Sequence, residues 1–182
     1  RALDYLRRTR EELSAKEILA QSDPLTGLYN RRCMHKQLPN FAERATETGG
    51  TLVLLMGDLD GFKPINDRCG HAAGDVILVQ VAGLVAASIR RTDLACRMGG
   101  DEFAVILPDV GRDEAVVIAT RLVERIATLS GNHDGEVLPL TLSLGAVVYR
   151  PGETIDALMA RADAELYEAK AQGGARVVWE LD

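Results

Sequence analysis

The 182-residue sequence predicts an α+β domain, a central mixed sheet flanked by helices and carrying an antiparallel hairpin. Three observations lead there. Strand-like and helix-like segments alternate along most of the chain. Nearly half of the residues are hydrophobic, 47%, enough for one sizeable core in a chain of this length. The apolar runs DLACRM (93–98) and FAVILP (103–108) are separated only by GGDE, which is too short for a crossover helix, so the two strands must pair antiparallel.

The elements follow in chain order. RALDYLRRTREELSAKEILAQ is charged and helix-forming, with Leu6, Leu13 and Ala20 seven apart and Leu3, Ile18 and Leu19 nearby. Residues 1–22 are therefore read as a helical, coiled-coil stalk, with an amphipathic helix packed on its own domain as the alternative; residues 23–182 form the folded domain. SDPLTGLYN supplies Asp23 as a helix N-cap candidate, Pro24, and a turn at Gly27. TLVLLMGDLD is a buried strand, AAGDVILVQVAGLVAASIR a helix, and the hairpin strands come next. RDEAVVIATRLVERIATLS is a helix, LPLTLSLGAVVY a strand, TIDALMARADAELYEAKA a helix, and ARVVWEL a last strand.

Composition excludes several classes. A net charge of -6 and a pI near 5.2 argue against a nucleic-acid or membrane-surface protein, since both need basic patches. No apolar run approaches the roughly 18 residues of a membrane span, so no direct membrane insertion is expected. Cys33, Cys69 and Cys96 are far apart and odd in number, which suggests neither a disulfide framework nor a CxxC metal site; a reducing cytoplasm fits best.

Chemistry concentrates around RMGGDEF (97–103). Gly99 and Gly100 allow the positive φ a tight turn needs and clear space for a close approach. Asp101 and Glu102 then crowd two like charges at the tip, unfavourable unless solvated or neutralised by a cation. Asp58 and Asp60 end the strand TLVLLMGDLD on one face. Mg²⁺ takes oxygen ligands, commonly one or two carboxylates plus substrate phosphates, so Asp58 pairs with Asp101 as a hard-cation site. Asp60 is either a further ligand or a structural cap. GFKPIND brings a glycine, backbone N–H groups and Lys63, a cradle for phosphate oxygens. Neither GxxxxGK[ST] nor GxGxxG occurs.

Together DPLTGLYNRR, DLDGFKPINDRCGHAAGD, RMGGDEF and ADAELYEAK resemble the GGDEF family of bacterial diguanylate cyclases, in order and at the family's spacing, over residues 23 to 178. The resemblance implies a ferredoxin-like palm of the nucleotidyl cyclase type. It also implies condensation of two GTP molecules into cyclic di-GMP with release of two pyrophosphates. Asp58, Asp101, Glu102 and the carbonyl of Leu59 are the implied ligands of two Mg²⁺ or Mn²⁺ ions per site. Asp101, Glu102 and Lys63 are the implied catalytic residues. Asn66 and Asp75 match the positions that read guanine, an amide and a carboxylate satisfying its O6, N1–H and N2–H₂ edge; as residues alone, either could equally cap a turn or helix. Leu25 and Leu78 match apolar walls of the base pocket, although both also read as core. His71 matches a substrate contact, or makes a structural hydrogen bond.

Lys63 and Lys170 match positions near the triphosphate, where the ordinary reading of a lysine is a solvated one, and Phe62 is a further implied substrate-binding residue. Gly174 departs from the family, which commonly has a phosphate-binding arginine four residues after the helix lysine. Arg90 and Asp93, an RxxD arrangement upstream of the signature, with Arg97 as a second cation, match an inhibitory site for the product; the plain alternative is a helix end with a local ion pair. The implied partners are GTP, cyclic di-GMP, a second copy in a homodimer, and a fused sensor or other signalling domain. Two other functions stay open: a catalytically silent GGDEF module regulating an attached domain, and a dimerisation module with a solvated acidic hairpin.

Overall fold

The computed structural model describes residues 20–134 and 136–180. Of the expected stalk, only residues 20–22 fall within them, so the coiled-coil expectation lies outside the described residues. Among these residues a six-stranded sheet runs in the order β1-β3-β4-β2-β7-β8, with a separate two-stranded sheet of β5 and β6. The strands are β1 (Tyr29–Asn30), β2 (Leu52–Asp60), β3 (Leu94–Gly99), β4 (Glu102–Pro108), β5 (Ser130–His133), β6 (Glu136–Pro139), β7 (Thr141–Val148) and β8 (Val177–Trp179). Neighbours within β3-β4-β2-β7 are antiparallel, whereas β1 on β3 and β8 on β7 are parallel, which gives the mixed α+β sheet that was expected. The βαββαβ path through β2, β3, β4 and β7 is the ferredoxin-like arrangement.

Among the described residues the sheet is covered by α1 (Arg31–Thr48), α2 (Phe62–Cys69), α3 (His71–Ala86), α4 (Arg112–Ile126) and α5 (Ile155–Ala171). The period-two alternation of β2 divides its side chains between two cores. Val53 and Leu55 pack with α2, α3 and α4, and Leu52, Leu54 and Met56 with α1 and α5. A strand buried on both faces is apolar at nearly every position, as LVLLMG (52–57) is.

Several local expectations change. Asp23 does not cap a helix. Its carboxylate accepts the Thr26 N–H at 2.9 Å and the Thr26 hydroxyl at 2.6 Å, closing the turn at Gly27, where φ is +73. Asn30 is the N-cap of α1, accepting the Cys33 N–H. α1 and α2 were not read from the sequence: α1 carries an interior proline, Pro39, and α2 is only eight residues long. The run LPLTLSLGAVVY splits at Leu140 into β6 and β7.

Candidate active site

Four elements meet at one end of the sheet. β2 delivers Asp58, Leu59 and Asp60; the β3–β4 turn delivers Asp101 and Glu102; α2 begins directly after Gly61; and α5 ends with Lys170 in its last turn. Gly99 and Gly100 adopt φ of +148 and +52, so the turn uses the conformational freedom of both. Register places Asp58 opposite Glu102 on one side and opposite Ser143 on the other. The Leu59 N–H donates to the Asp101 carbonyl at 3.2 Å, tying the hairpin tip to the end of β2.

Asp58 is largely buried, with 18% of its side chain exposed. Lys170 Nζ donates to its Oδ1. Burial pushes the Asp58 carboxyl up; the Lys170 hydrogen bond opposes this, and the neighbouring Asp101 and Asp60 carboxylates add to the rise. The site thus concentrates oxygen donors and negative charge in a half-buried place where a cation relieves repulsion, and an ammonium group supplies that relief here. Among the described residues no group of three or more His, Cys, Asp or Glu side chains is gathered closely enough to hold a metal ion by itself. The donor chemistry suits a hard cation nonetheless: Asp58, the Leu59 carbonyl, Asp101 and Glu102 all offer oxygen atoms.

Asp60 is held structurally, but not as a cap of the turn that follows it. Its carboxylate accepts from Thr141 Oγ1 at 3.1 Å, from Ser143 Oγ at 2.8 Å and from the Ala175 N–H at 3.1 Å. Lys63 is exposed in the first turn of α2, and Phe62 beside it is buried. Asn66 lies within α2 and Asp75 within α3, so neither is a cap. The two helices touch there: a Cβ at Gly74 would lie 1.9 Å from Asn66 Oδ1, so only glycine leaves room for the carboxamide. That buried Oδ1 has no hydrogen-bond partner among the described residues. His71 is exposed at the first position of α3.

Beside Asp75 lies an open, apolar cavity of ≈ 270 Å³ lined by Leu25, Asp75, Val76, Val79 and Gln80. Leu25 lines this cavity from the turn before β1. Leu78 is 2% exposed and packs in the core, while Val76 and Val79 line the cavity. Both valines were missed, yet apolar residues one and four positions after Asp75 share its exposed helix face and were a readable signal.

The second candidate cluster is altered more. The Arg90 N–H donates to Asp93 Oδ2 at 2.7 Å, and the Asp93 N–H returns a bond to the Arg90 carbonyl at 3.1 Å. Burial pushes the Asp93 carboxyl up, with the Arg90 N–H and guanidinium opposing. Arg90 also pairs with Glu114, and a cavity of ≈ 220 Å³ opens between Tyr29, Ile89, Arg90 and Asp93. Arg121 and Arg125 of α4 bond Ser88 at the neighbouring helix end, two cations the sequence reading passed over. Arg97 is not part of this cluster. It donates to the Gly100 carbonyl at 2.9 Å and to Asp23 Oδ1 at 3.2 Å, locking the hairpin tip to the turn before β1.

The fold and the acidic hairpin together define a nucleotidyl-cyclase-type palm, and comparison with known proteins makes the class specific. Residues 20–176 match the sequence model of "Diguanylate cyclase, GGDEF domain", and the chain belongs to this family. The response regulator PleD of Caulobacter vibrioides is 41% identical over 181 residues, which cover 98% of this chain and 39% of that protein. The diguanylate cyclase DgcP of Pseudomonas aeruginosa is 39% identical over 158 residues, covering 87% of this chain and 24% of that protein. The chain therefore spans well under half the length of these relatives. A crystal structure of the coiled coil and GGDEF domain of DgcB from Caulobacter crescentus, in complex with c-di-GMP, superposes with a TM-score of 0.91 at 31% identity. It covers 98% of this chain and 95% of that one. No described helix is long and apolar enough to cross a membrane.

Proposed function

We propose that this chain is a diguanylate cyclase domain that joins two GTP molecules into cyclic di-GMP. The observation that carries the reading is the convergence of Asp58, the Leu59 carbonyl, Asp101 and Glu102 at the sheet end from which α2 starts, together with an apolar cavity at Asp75 of α3. The base would lie in that cavity between Leu25 and the two valines. Asn66 and Asp75 would read its edge, and the unpartnered Asn66 Oδ1 is suited to a donor, because leaving a buried acceptor unpaired costs about 1–3 kcal/mol. The triphosphate would cross the first turn of α2 and Lys63 toward Lys170.

Two bound Mg²⁺ or Mn²⁺ ions would supply charge neutralisation at the α-phosphate and the pyrophosphate leaving group. The protein holds the reacting atoms in line and moves one proton. Asp101, or Glu102 beside it, accepts that proton from the 3′-hydroxyl of the second GTP. Lys170 exchanges its Asp58 partner for phosphate oxygens. One site presents one GTP, so two linkages require two domains facing each other across a two-fold axis. Residues 1–22 would hold the pair as a parallel coiled coil, and the coiled coil of DgcB supports this.

Product would return to the Arg90–Asp93 cluster and inhibit. A sensor or other signalling domain fused to this chain in a cytoplasmic protein fits the longer relatives. A second reading, a silent module that binds nucleotide and regulates an attached domain, draws on Gly174 and on Arg176, which folds back onto the Gly174 carbonyl and Gln172. Incubation with GTP and Mg²⁺ followed by chromatography separates the two. Cyclic di-GMP and pyrophosphate are the expected products, and unchanged GTP at high protein concentration would refute turnover.

A further inference from the structure

We infer that Asp60 is a positioning residue that holds Lys170 on the reaction site, through a clasp that also dictates glycine at position 174. The inference rests on the guanosine-nucleotide reading of the site but concerns side chains that touch neither base nor metal. Asp60 leaves the end of β2 and gathers three elements. Thr141 and Ser143 donate to it from β7, and the Ala175 N–H donates from the segment after α5. Ser143 is fully buried, so its hydroxyl and the carboxylate are held in one geometry rather than sampling water.

The segment so held is unusual. Gly173, Gly174 and Ala175 have φ of +104, +74 and +54, three successive residues in the left-handed region. Alanine there is disfavoured by its Cβ and persists only where surrounding contacts over-determine it. The Asp60–Ala175 bond is such a contact. The turn is also the C-terminal closure of α5: the Gly173 N–H reaches the Lys170 carbonyl and the Gly174 N–H the Ala169 carbonyl, each at 3.0 Å. Asp60 therefore fixes, through three residues of backbone, the helix end from which Lys170 reaches Asp58.

The same clasp explains the departure at Gly174. A Cβ there would meet the Asp60 carboxylate at 3.0–3.3 Å, and the backbone is left-handed besides. An arginine at this position would have to loosen the clasp to be accommodated. In this chain the cationic work at the α5 end falls to Lys170, whose placement then depends on Asp60.

The test uses Asp60→Ala and Asp60→Asn, each made in the native chain and in Lys170→Ala. Lys170 is 41% exposed, so it can be acetylated with a limiting N-hydroxysuccinimide ester and followed by peptide mass spectrometry against exposed Lys63. An amine held in a hydrogen bond to Asp58 is less available to the ester than a freely moving one, so Asp60→Ala is expected to raise the Lys170:Lys63 ratio about threefold or more. Asp60→Asn keeps an acceptor for Ala175 and should stay within about twofold. An unchanged ratio in Asp60→Ala overturns the inference whether or not the protein binds nucleotide.

Affinity for a GTP analogue with a methylene bridge between the α- and β-phosphates is the second readout. Asp60→Ala should weaken it about tenfold in the native chain and less than about twofold in Lys170→Ala. Equal weakening in both backgrounds would make Asp60 merely structural. Failure of the unmodified chain to bind the analogue would sink the nucleotide reading, while the acetylation ratio still decides the clasp. Should Asp60→Ala not fold, Ser143→Ala removes one donor and is expected to shift the ratio in the same direction; no shift would overturn the inference.

Discussion

Replacing Arg97 by alanine would cut the strut between the acidic hairpin and the turn that leads into the domain. The guanidinium donates to the Gly100 carbonyl at 2.9 Å and to both Asp23 oxygens at 3.2 and 3.4 Å. Only 14% of the Arg97 side chain and 19% of the Asp23 side chain are exposed, so solvent screening is limited. Gly100 is exposed, and its carbonyl would find water; Asp23 would keep both Thr26 donors. The loss is therefore that of one charge-assisted contact rather than of an orphaned ion, about 2 kcal/mol.

In a chain of this size that corresponds to a fall in Tm of about 4–8 °C. The pH dependence has a definite sign. Burial pushes the Asp23 carboxyl up, but the Thr26 hydroxyl and N–H and the Arg97 guanidinium outweigh it and hold it below its ordinary value. A depressed carboxylate stabilises the fold above its unfolded pKa and loses that contribution as pH falls through the folded one. The Arg97→Ala penalty should accordingly be full at pH 7 and shrink below about pH 4. Urea unfolding of Arg97→Ala, Asp23→Asn and the double variant gives the coupling energy directly. A coupling below about 0.5 kcal/mol would place this pair with ordinary surface ion pairs and refute the reasoning.

Asp58→Ala and Asp101→Ala are each expected to abolish cyclic di-GMP synthesis with far-UV circular dichroism unchanged; persistent synthesis in either would overturn the site assignment. Arg90→Ala should stay active, with the cyclic di-GMP concentration giving half-inhibition raised at least about tenfold at matched GTP; equal inhibition would return Arg90 to a helix end. Deleting residues 1 to 22 should make specific activity rise more steeply with protein concentration, and a concentration-independent rate in a monomeric sample would exclude the two-domain mechanism. Gly145→Ala should destabilise by about 3 kcal/mol. Its Cβ would lie 2.2 Å from the Ala162 carbonyl oxygen and the Leu166 nitrogen, so α5 must lift off β7; a Tm within a degree of the parent's would contradict the packing.

The amino-acid sequence by itself determined the strands β2, β3, β4, β7 and β8, the helices α3, α4 and α5 and the acidic hairpin, because each is written in local signals: period-two or helical apolar spacing, and a linker too short to cross over. It also carried the carboxylates and the family, since the motifs are contiguous. Other features had no such signal. α1 hides its apolar face, Cys33, Met34, Leu38, Ala42 and Ala45, among charged residues and Pro39, and its burial against the sheet is what stabilises it. Which polar groups pair was decided only in three dimensions. Arg97 reads as one more cation beside Arg90, yet it faces Asp23, 74 residues away. Asp60 reads like Asp58, two positions earlier, yet its partners lie on β7 and after α5, more than 80 residues on. Leu78 and Val79 are adjacent and both apolar, and helical geometry alone sends one into the core and the other to the cavity wall. Composition and order specify what a segment can form; long-range pairing depends on how those segments pack, and no local window contains it.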